Sequence, residues 1–344
     1  MMHLLEETLL AITGVNEENQ KNQKEYIATL LKTPDGLGKL EKMNIQLSGI
    51  EKEYRVKKKA VVVMAADNGV EEEGVSASKR VITQYVVEAM VAGEASISSL
   101  CKSLGSELFV IDLGIDSTRV FKGAITHKIM PTGTYNIRKG PAMSREQAIE
   151  AIEVGIDIVR ELVEKDYNLF AVGEMGIGNT TTSSACLKAL TNLPLVELVG
   201  YGSGIDERTL GLKIAVVEDA VRINKPDVND PIDIIQKLGG LDIAAMTGVY
   251  LGAARYKVPI VLDGLISGVS ALLAYRMNAH ARDYMIPSHI SEEPGAKWIM
   301  EALCFNPMLH MNMKLGEGSG AVLVFPLVEA ASNLTRDIRV YPEV

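Results

Sequence analysis

The chain has 344 residues, 47% of them hydrophobic, enough to bury the core of one large α/β domain or of two ordinary ones. With 35 Lys and Arg against 44 Asp and Glu the formal net charge is −9, so the chain as a whole lacks the basic footprint of a nucleic-acid or anionic-membrane binder. Cys101, Cys186 and Cys304 are far apart, with no spacing suited to zinc, and are expected as reduced, buried thiols of a cytoplasmic protein.

The first residues, with Glu6 and Glu7, are acidic where a secretory leader is basic, and no apolar run reaches membrane-spanning length. Residues 1–30 are polar and helix-prone. Short, continuous apolar runs at 60–65, 107–111, 169–172, 259–262 and 321–325 have the character of strands buried on both faces. The stretches between them are long enough for crossover helices, and residues 326–336 are helical in pattern. The expected fold is therefore α/β: a doubly wound, mostly parallel sheet with helices on both faces. Residues 1–30 and 326–344 are expected to form a small helical subdomain beside a large Rossmann-like, nucleotide-binding catalytic domain at 31–325. Asp67, Asp112, Glu174 and Asp263 stand at or just after the ends of expected strands, where such sheets bind ligands.

Two glycine-rich segments carry chemistry. After the run 169–172, Gly173-Glu174-Met175-Gly176-Ile177-Gly178-Asn179-Thr180-Thr181 has the pattern of a strand, a glycine turn and a helix start, which aims free backbone N–H groups at an anion such as phosphate. No Gly-Lys-Ser/Thr follows, so this is not a P-loop, and the dinucleotide fingerprint lacks its third glycine. A plain capped helix after a strand is the competing account. Further on, Leu315-Gly316-Glu317-Gly318-Ser319-Gly320 places one carboxylate among three glycines beside apolar neighbours. A desolvated Glu317 there would suit proton abstraction, and an exposed loop acid before a strand is the alternative.

Taken with Ala66-Asp67-Asn68-Gly69-Val70, the segment 110–116, Gly140-Pro141-Ala142-Met143-Ser144, Asp263-Gly264 and Ser288-His289-Ile290-Ser291-Glu292, these motifs resemble the nicotinate-nucleotide–dimethylbenzimidazole phosphoribosyltransferase family in order and spacing over about residues 30 to 330. The resemblance implies transfer of ribose 5-phosphate from nicotinate mononucleotide to the lower-ligand base of a cobamide, with inversion from the β to the α anomer. It implies no cofactor and no metal, and a homodimer or a heterodimer with a homologous chain, in which the loop 32–40 of one subunit approaches the active site of the other. Glu317 matches the general base. Gly176, Gly178, Asn179 and Thr180 match the phosphate segment, and Lys213 matches a lysine on the same ligand. Glu174 matches an acid of the nucleotide site, Ser291 a residue near nicotinate, and Gly316 belongs with the nucleotide site. Met175 and Leu315 would be apolar walls for a flat ring. A hydrolase triad of His289, Ser291 and Glu292 is disfavoured, because residues so close in sequence rarely reach that geometry.

Departures fall near the acceptor pocket. Asn68 stands where the family has histidine. Ser78 matches a serine of the base pocket, and Val86 occupies the position where some members carry a glutamine, with Tyr85 as a further candidate wall. Two acceptor classes stay open: a benzimidazole, or a phenol or p-cresol as used by family members working as heterodimers. A nucleotide-binding, non-catalytic partner subunit is the alternative from another class. A nicotinamide-dinucleotide oxidoreductase is disfavoured, since no early Gly-x-Gly-x-x-Gly with its following acid is present.

Overall fold

The computed structural model describes residues 3–342. Its sheet contains β1 (Lys58–Ala66), β2 (Glu107–Gly114), β3 (Ile125–Thr126), β4 (Tyr167–Met175), β5 (Ile260–Leu262) and β6 (Met285–Pro287). The spatial order is β3-β2-β1-β4-β5-β6, and every neighbouring pair is parallel. The chain builds outward from β1 to β3, then returns through the helix Arg145–Val163 to place β4 on the other side of β1. The strand order reverses between β1 and β4, where such sheets commonly open a ligand crevice; here the candidate cavity lies one strand over, at the carboxyl ends of β4 and β5.

Strand periodicity explains why the central runs are apolar throughout. In β1, Ala60, Val62, Met64 and Ala66 enter one core, while Val61, Val63 and Ala65 enter the other. The first core is covered by the helices Arg145–Val163, Leu241–Arg255 and Leu265–Met277; the second by Lys39–Ile50, Ile82–Ala92, Ser96–Leu104 and Phe325–Asn333. Arg145–Val163 and Leu241–Arg255 pack backbone to backbone. A Cβ at Gly155 would strike the Ala245 carbonyl, and one at Gly248 the Ile152 carbonyl, so these two glycines allow the approach.

The expected strand at 321–325 is not a strand. Residues Ser319–Val322 form a short helix, and Phe325–Asn333 a longer one. A short buried apolar run does not by itself distinguish strand from helix. Here Gly318 turns the chain at φ 81°, and the Asp263 carboxylate accepts the N–H groups of Gly320 (2.8 Å) and Ala321 (3.1 Å), capping a helix start. The edge strands β3 and β6 pair over only two and three residues, too short to show a period.

Near the chain ends, the helices Glu17–Ala28 and Phe325–Asn333 both pack on Lys39–Ile50, and Leu31 N–H donates to Arg339 O at 2.7 Å. The helix Leu4–Ala11 lies with the other core, where Leu5 N–H donates to Glu153 at 3.0 Å. Of the segments assigned to the end subdomain, residues 1, 2, 343 and 344 lie outside the described residues. All three cysteines are free; Cys101 and Cys186 are buried, but Cys304 is exposed, contrary to expectation, because it follows the helix Ala296–Ala302 on the surface. Among the described residues no helix is long and apolar enough to cross a membrane.

Candidate active site

A cavity of about 310 Å³ opens over the carboxyl ends of β4 and β5, and the two glycine-rich segments face each other across it. They are packed as one unit. Gly173, in β4, lies so close to the Glu317–Gly318 peptide that a Cβ would overlap Gly318 N and Glu317 C, and a Cβ on Gly316 would overlap Glu174 Oε1. Gly316, Glu317 and Gly318 all take positive φ, at 87°, 62° and 81°, so this turn is built from the left-handed region. Asp263 fixes it from the end of β5 by accepting the Gly318 N–H at 3.0 Å.

Glu317 is half-buried in the cavity wall, and its Oε2 is out of reach of solvent and without a hydrogen-bond partner. Burial pushes its carboxyl up and the Asp263 charge adds to this, while the Ile97 N–H at the start of the helix Ser96–Leu104 draws it down. The side chain thus combines desolvation, which makes its carboxyl more basic, with an oxygen that has no hydrogen-bond partner, two properties that suit a general base.

At the opposite wall the helix Asn179–Thr191 begins after Gly178 (φ 98°), with no side-chain cap on its first turn. Gly176, Gly178, Asn179 and Thr180 all line the cavity. Lys213, only 1% exposed, lies behind this wall rather than in the cavity lining; from the helix Glu207–Asn224 it donates to Thr180 Oγ1 (2.9 Å) and Gly200 O (3.1 Å). Burial brings its ammonium down to about 8, with Glu293 opposing the shift. Glu293 in turn accepts the Gly202 N–H at 2.8 Å. The Asn179, Thr181 and Thr182 N–H groups are bonded to backbone carbonyls and the Ile177 N–H to Thr83, so the anion-binding potential of this corner rests on the Thr180 hydroxyl, the Lys213 ammonium behind it and the remaining N–H groups of the turn.

Asn179 does not turn its amide to that corner: its Nδ2 donates to Glu174 Oε2 and to Asp242 Oδ2, the latter at 3.1 Å. Ser291 lines the cavity and its Oγ accepts the Glu293 N–H at 3.3 Å. The ring of His289 meets Ser288 Oγ through Nδ1 at 3.0 Å rather than Ser291 or Glu292.

Ser78, Val86, Met175 and Leu315 share the remaining wall with Ser76 and Ile177, giving an apolar slot with two hydroxyls. Leu315 stands at the mouth, 54% exposed. Tyr85 lies outside the lining; it is 49% exposed, and the Arg119 guanidinium sits 5.1 Å from its ring centroid.

From sequence Asp263 had only its position at a strand end, with no specific role, and Asp242 and Glu293 were not singled out. Asp263 carried a usable signal, an acid directly after a parallel strand. Glu293 adjoined the motif at 288–292. Asp242 carried none, because it opens a helix whose next twelve residues, Ile243 to Ala254, are all buried.

Comparison with known proteins agrees with this geometry. Residues 12–343 match the family model DBI_PRT, described as phosphoribosyltransferase. The chain is similar to the nicotinate-nucleotide–dimethylbenzimidazole phosphoribosyltransferase of Acetivibrio thermocellus, with 43% identity over 99% of this chain and 97% of that protein. It is 45% identical to the enzyme of the same name from Ruminiclostridium cellulolyticum, covering 95% of this chain and 93% of the relative. The crystal structure of CobT from Thermus thermophilus superposes with a TM-score of 0.89 at 34% identity, covering 94% of this chain and 97% of that one.

Proposed function

Since the chain belongs to the nicotinate-nucleotide–dimethylbenzimidazole phosphoribosyltransferase family, we propose that its cavity presents the ribose phosphate of nicotinate mononucleotide to a flat aromatic acceptor, with Glu317 as the base. The observation that carries this assignment is the desolvated Glu317, whose Oε2 has no partner, in the wall of the same cavity as Thr180, to whose hydroxyl Lys213 is bonded. The phosphate lies against Lys213, Thr180 and the backbone of residues 176–180. Glu174 bonds the ribose hydroxyls, Ser291 lies by the nicotinate ring, and Gly316 lets the sugar approach.

Nicotinate leaves without an acid, because its ring nitrogen is cationic while bonded to the sugar. The demands on the protein are to hold the phosphate, to tolerate positive charge at the anomeric carbon, and to take the acceptor's proton. Glu317 meets the last two. The attacking atom enters from the slot walled by Met175, Leu315 and Val86, on the face opposite the leaving nicotinate, so the anomer inverts.

The acceptor is a benzimidazole-class base. A phenol is the second reading, favoured by Val86, which leaves Ser76 and Ser78 as the hydroxyls of that wall; one phenolic O–H needs only one base. A non-catalytic role fits poorly with a desolvated Glu317. Incubation with nicotinate mononucleotide and either dimethylbenzimidazole or phenol, with detection of free nicotinate and of the ribotide, tests all three. Release that requires one acceptor identifies it; no release with either removes the transferase assignment.

We further propose a homodimer, or a heterodimer with a homologous chain, closed over the site by the loop 32–40. That loop exposes Leu37 (39%), and Leu31 (48%) precedes it. Its conformation is held from within, since Leu37 N–H and Lys32 Nζ both engage Glu41 Oε1, at 2.9 and 3.0 Å.

A further inference from the structure

Asn179 offers two amide hydrogens, and both go to carboxylates: one to Glu174 Oε2, the other to Asp242 Oδ2 at 3.1 Å. Asp242 is fully buried and Glu174 is 7% exposed. The other groups around them supply no cation. Asp242 Oδ1 accepts the Ile243 N–H at 3.0 Å, and the neutral Asn68 side chain beside it also draws the Asp242 carboxyl down. Asp263 from the end of β5 and Glu317 from the 316–318 turn face Glu174, and the Cys186 thiol faces Asp242. Among the described residues neither carboxylate of the pair enters a salt bridge. Two adjacent negative charges bridged by one neutral amide, out of water, cost several kcal/mol each unless a proton removes one of them.

We propose that Glu174 and Asp242 share a single proton across the Asn179 amide, so that Glu174 meets the nucleotide as a neutral acid, with Asp242 as its positioning residue. The proton is assigned to Glu174 because Glu174 lines the cavity and Asp242 does not, and because burial together with the Asp242 charge raises the Glu174 carboxyl. Glu174 Oε2 accepts from Asn179, leaving Oε1, beside Gly316, to carry the proton toward the ribose. The consequence for catalysis rests on the transferase assignment. A neutral Glu174 does not repel the donor's phosphate and does not raise Glu317 further, which favours the ionised form of Glu317 that takes the acceptor's proton.

Infrared spectroscopy of the whole protein at neutral pH tests the shared proton without reference to activity. The expected result is a protonated carboxyl C=O band in the wild type that disappears on raising the pH and is missing in Glu174→Gln. No such band at neutral pH, or one that survives in Glu174→Gln, overturns the proposal whether or not transfer activity is found. Asp242→Asn keeps the shape and an acceptor for Asn179 but removes the neighbouring charge. Its alkaline limb in kcat/KM for the nucleotide should move to lower pH by roughly one unit or more, below the limb set by Lys213. A merely structural Asp242 would lower activity and leave the limb in place, which also overturns the proposal. If both spectroscopic results hold and no acceptor supports transfer, the transferase assignment fails and the shared proton stands.

Discussion

Asp263 holds Gly318 by its backbone: Oδ2 accepts the Gly318 N–H at 3.0 Å, while Oδ1 accepts those of Gly320 and Ala321. One strand-end carboxylate thereby fixes both the turn that carries Glu317 and the helix start behind it. Asp263→Ala leaves three buried N–H groups without an acceptor, each worth about 1–3 kcal/mol when unsatisfied. The expected loss is about 3–5 kcal/mol in urea unfolding, together with a fall in turnover. An Asp263→Ala protein of wild-type stability would show that the turn stands without this cap.

The sheet was legible because its central strands are apolar on both faces, a pattern few other elements show, and four of the five strands expected from sequence are present. The fifth, at 321–325, turned out helical because Asp263, about sixty residues away in sequence, caps it; no local window contains that information. The same distance effect hid Asp242, whose role is visible only once Asn179 bridges it to Glu174. Glycine-flanked motifs fared differently. Gly173 marks a close approach of backbone to the Glu317–Gly318 peptide, and Gly316 a close approach of backbone to the Glu174 side chain, both beside the cavity.

Gly173→Ala tests that contact. The added Cβ would overlap the Glu317–Gly318 peptide, which is backbone and cannot swing aside. Overpacking of this kind costs about 1–3 kcal/mol, and a displacement of Glu317 by about 1 Å costs on the order of 10²-fold in rate. Thermal unfolding and single-turnover rates measured together check both. Normal turnover in Gly173→Ala would mean that the 316–318 turn is free to shift without consequence.

Lys213 gives donor binding a pH dependence of definite sign. Burial lowers its folded value to about 8, against 10.5 for a free lysine, so the unliganded protein loses this positive charge as pH rises through about 8. Affinity for nicotinate mononucleotide should therefore fall from pH 7 to pH 9, and binding near pH 8 should take up protons. Lys213→Met should weaken binding at pH 7 by roughly ten- to a hundred-fold, the worth of a charge-assisted hydrogen bond. It should also reduce the pH dependence to the part that Glu174 supplies. Calorimetry in two buffers of different ionisation enthalpy measures both effects, and an unchanged pH dependence in the variant would remove Lys213 from the phosphate site.

The proposed dimer makes the loop 32–40 necessary for activity without placing it in its own subunit's cavity. Leu37→Asp puts a charge on an exposed apolar position. It should shift the protein toward monomer in light scattering and reduce turnover in parallel, both recovering at higher protein concentration. A monomeric wild-type protein with full activity at assay concentration would end the idea.

Glu317→Gln separates the base from the scaffold. The amide keeps the shape of the side chain in the turn at φ 62°, but it cannot take a proton and carries no charge for the anomeric centre. Turnover should fall by roughly 10²–10⁴-fold, the usual worth of a positioned acid-base group. Binding of nicotinate mononucleotide should change little, because the carboxylate acts on the acceptor's proton and on charge that develops later. Burial raises the Glu317 carboxyl, so the wild-type rate should drop on the acid side at a pH above that of an ordinary glutamate, and that limb should vanish in the variant. Near-normal turnover in Glu317→Gln, or a loss explained wholly by failure to bind nucleotide, would leave Glu317 as a structural turn residue and require another base.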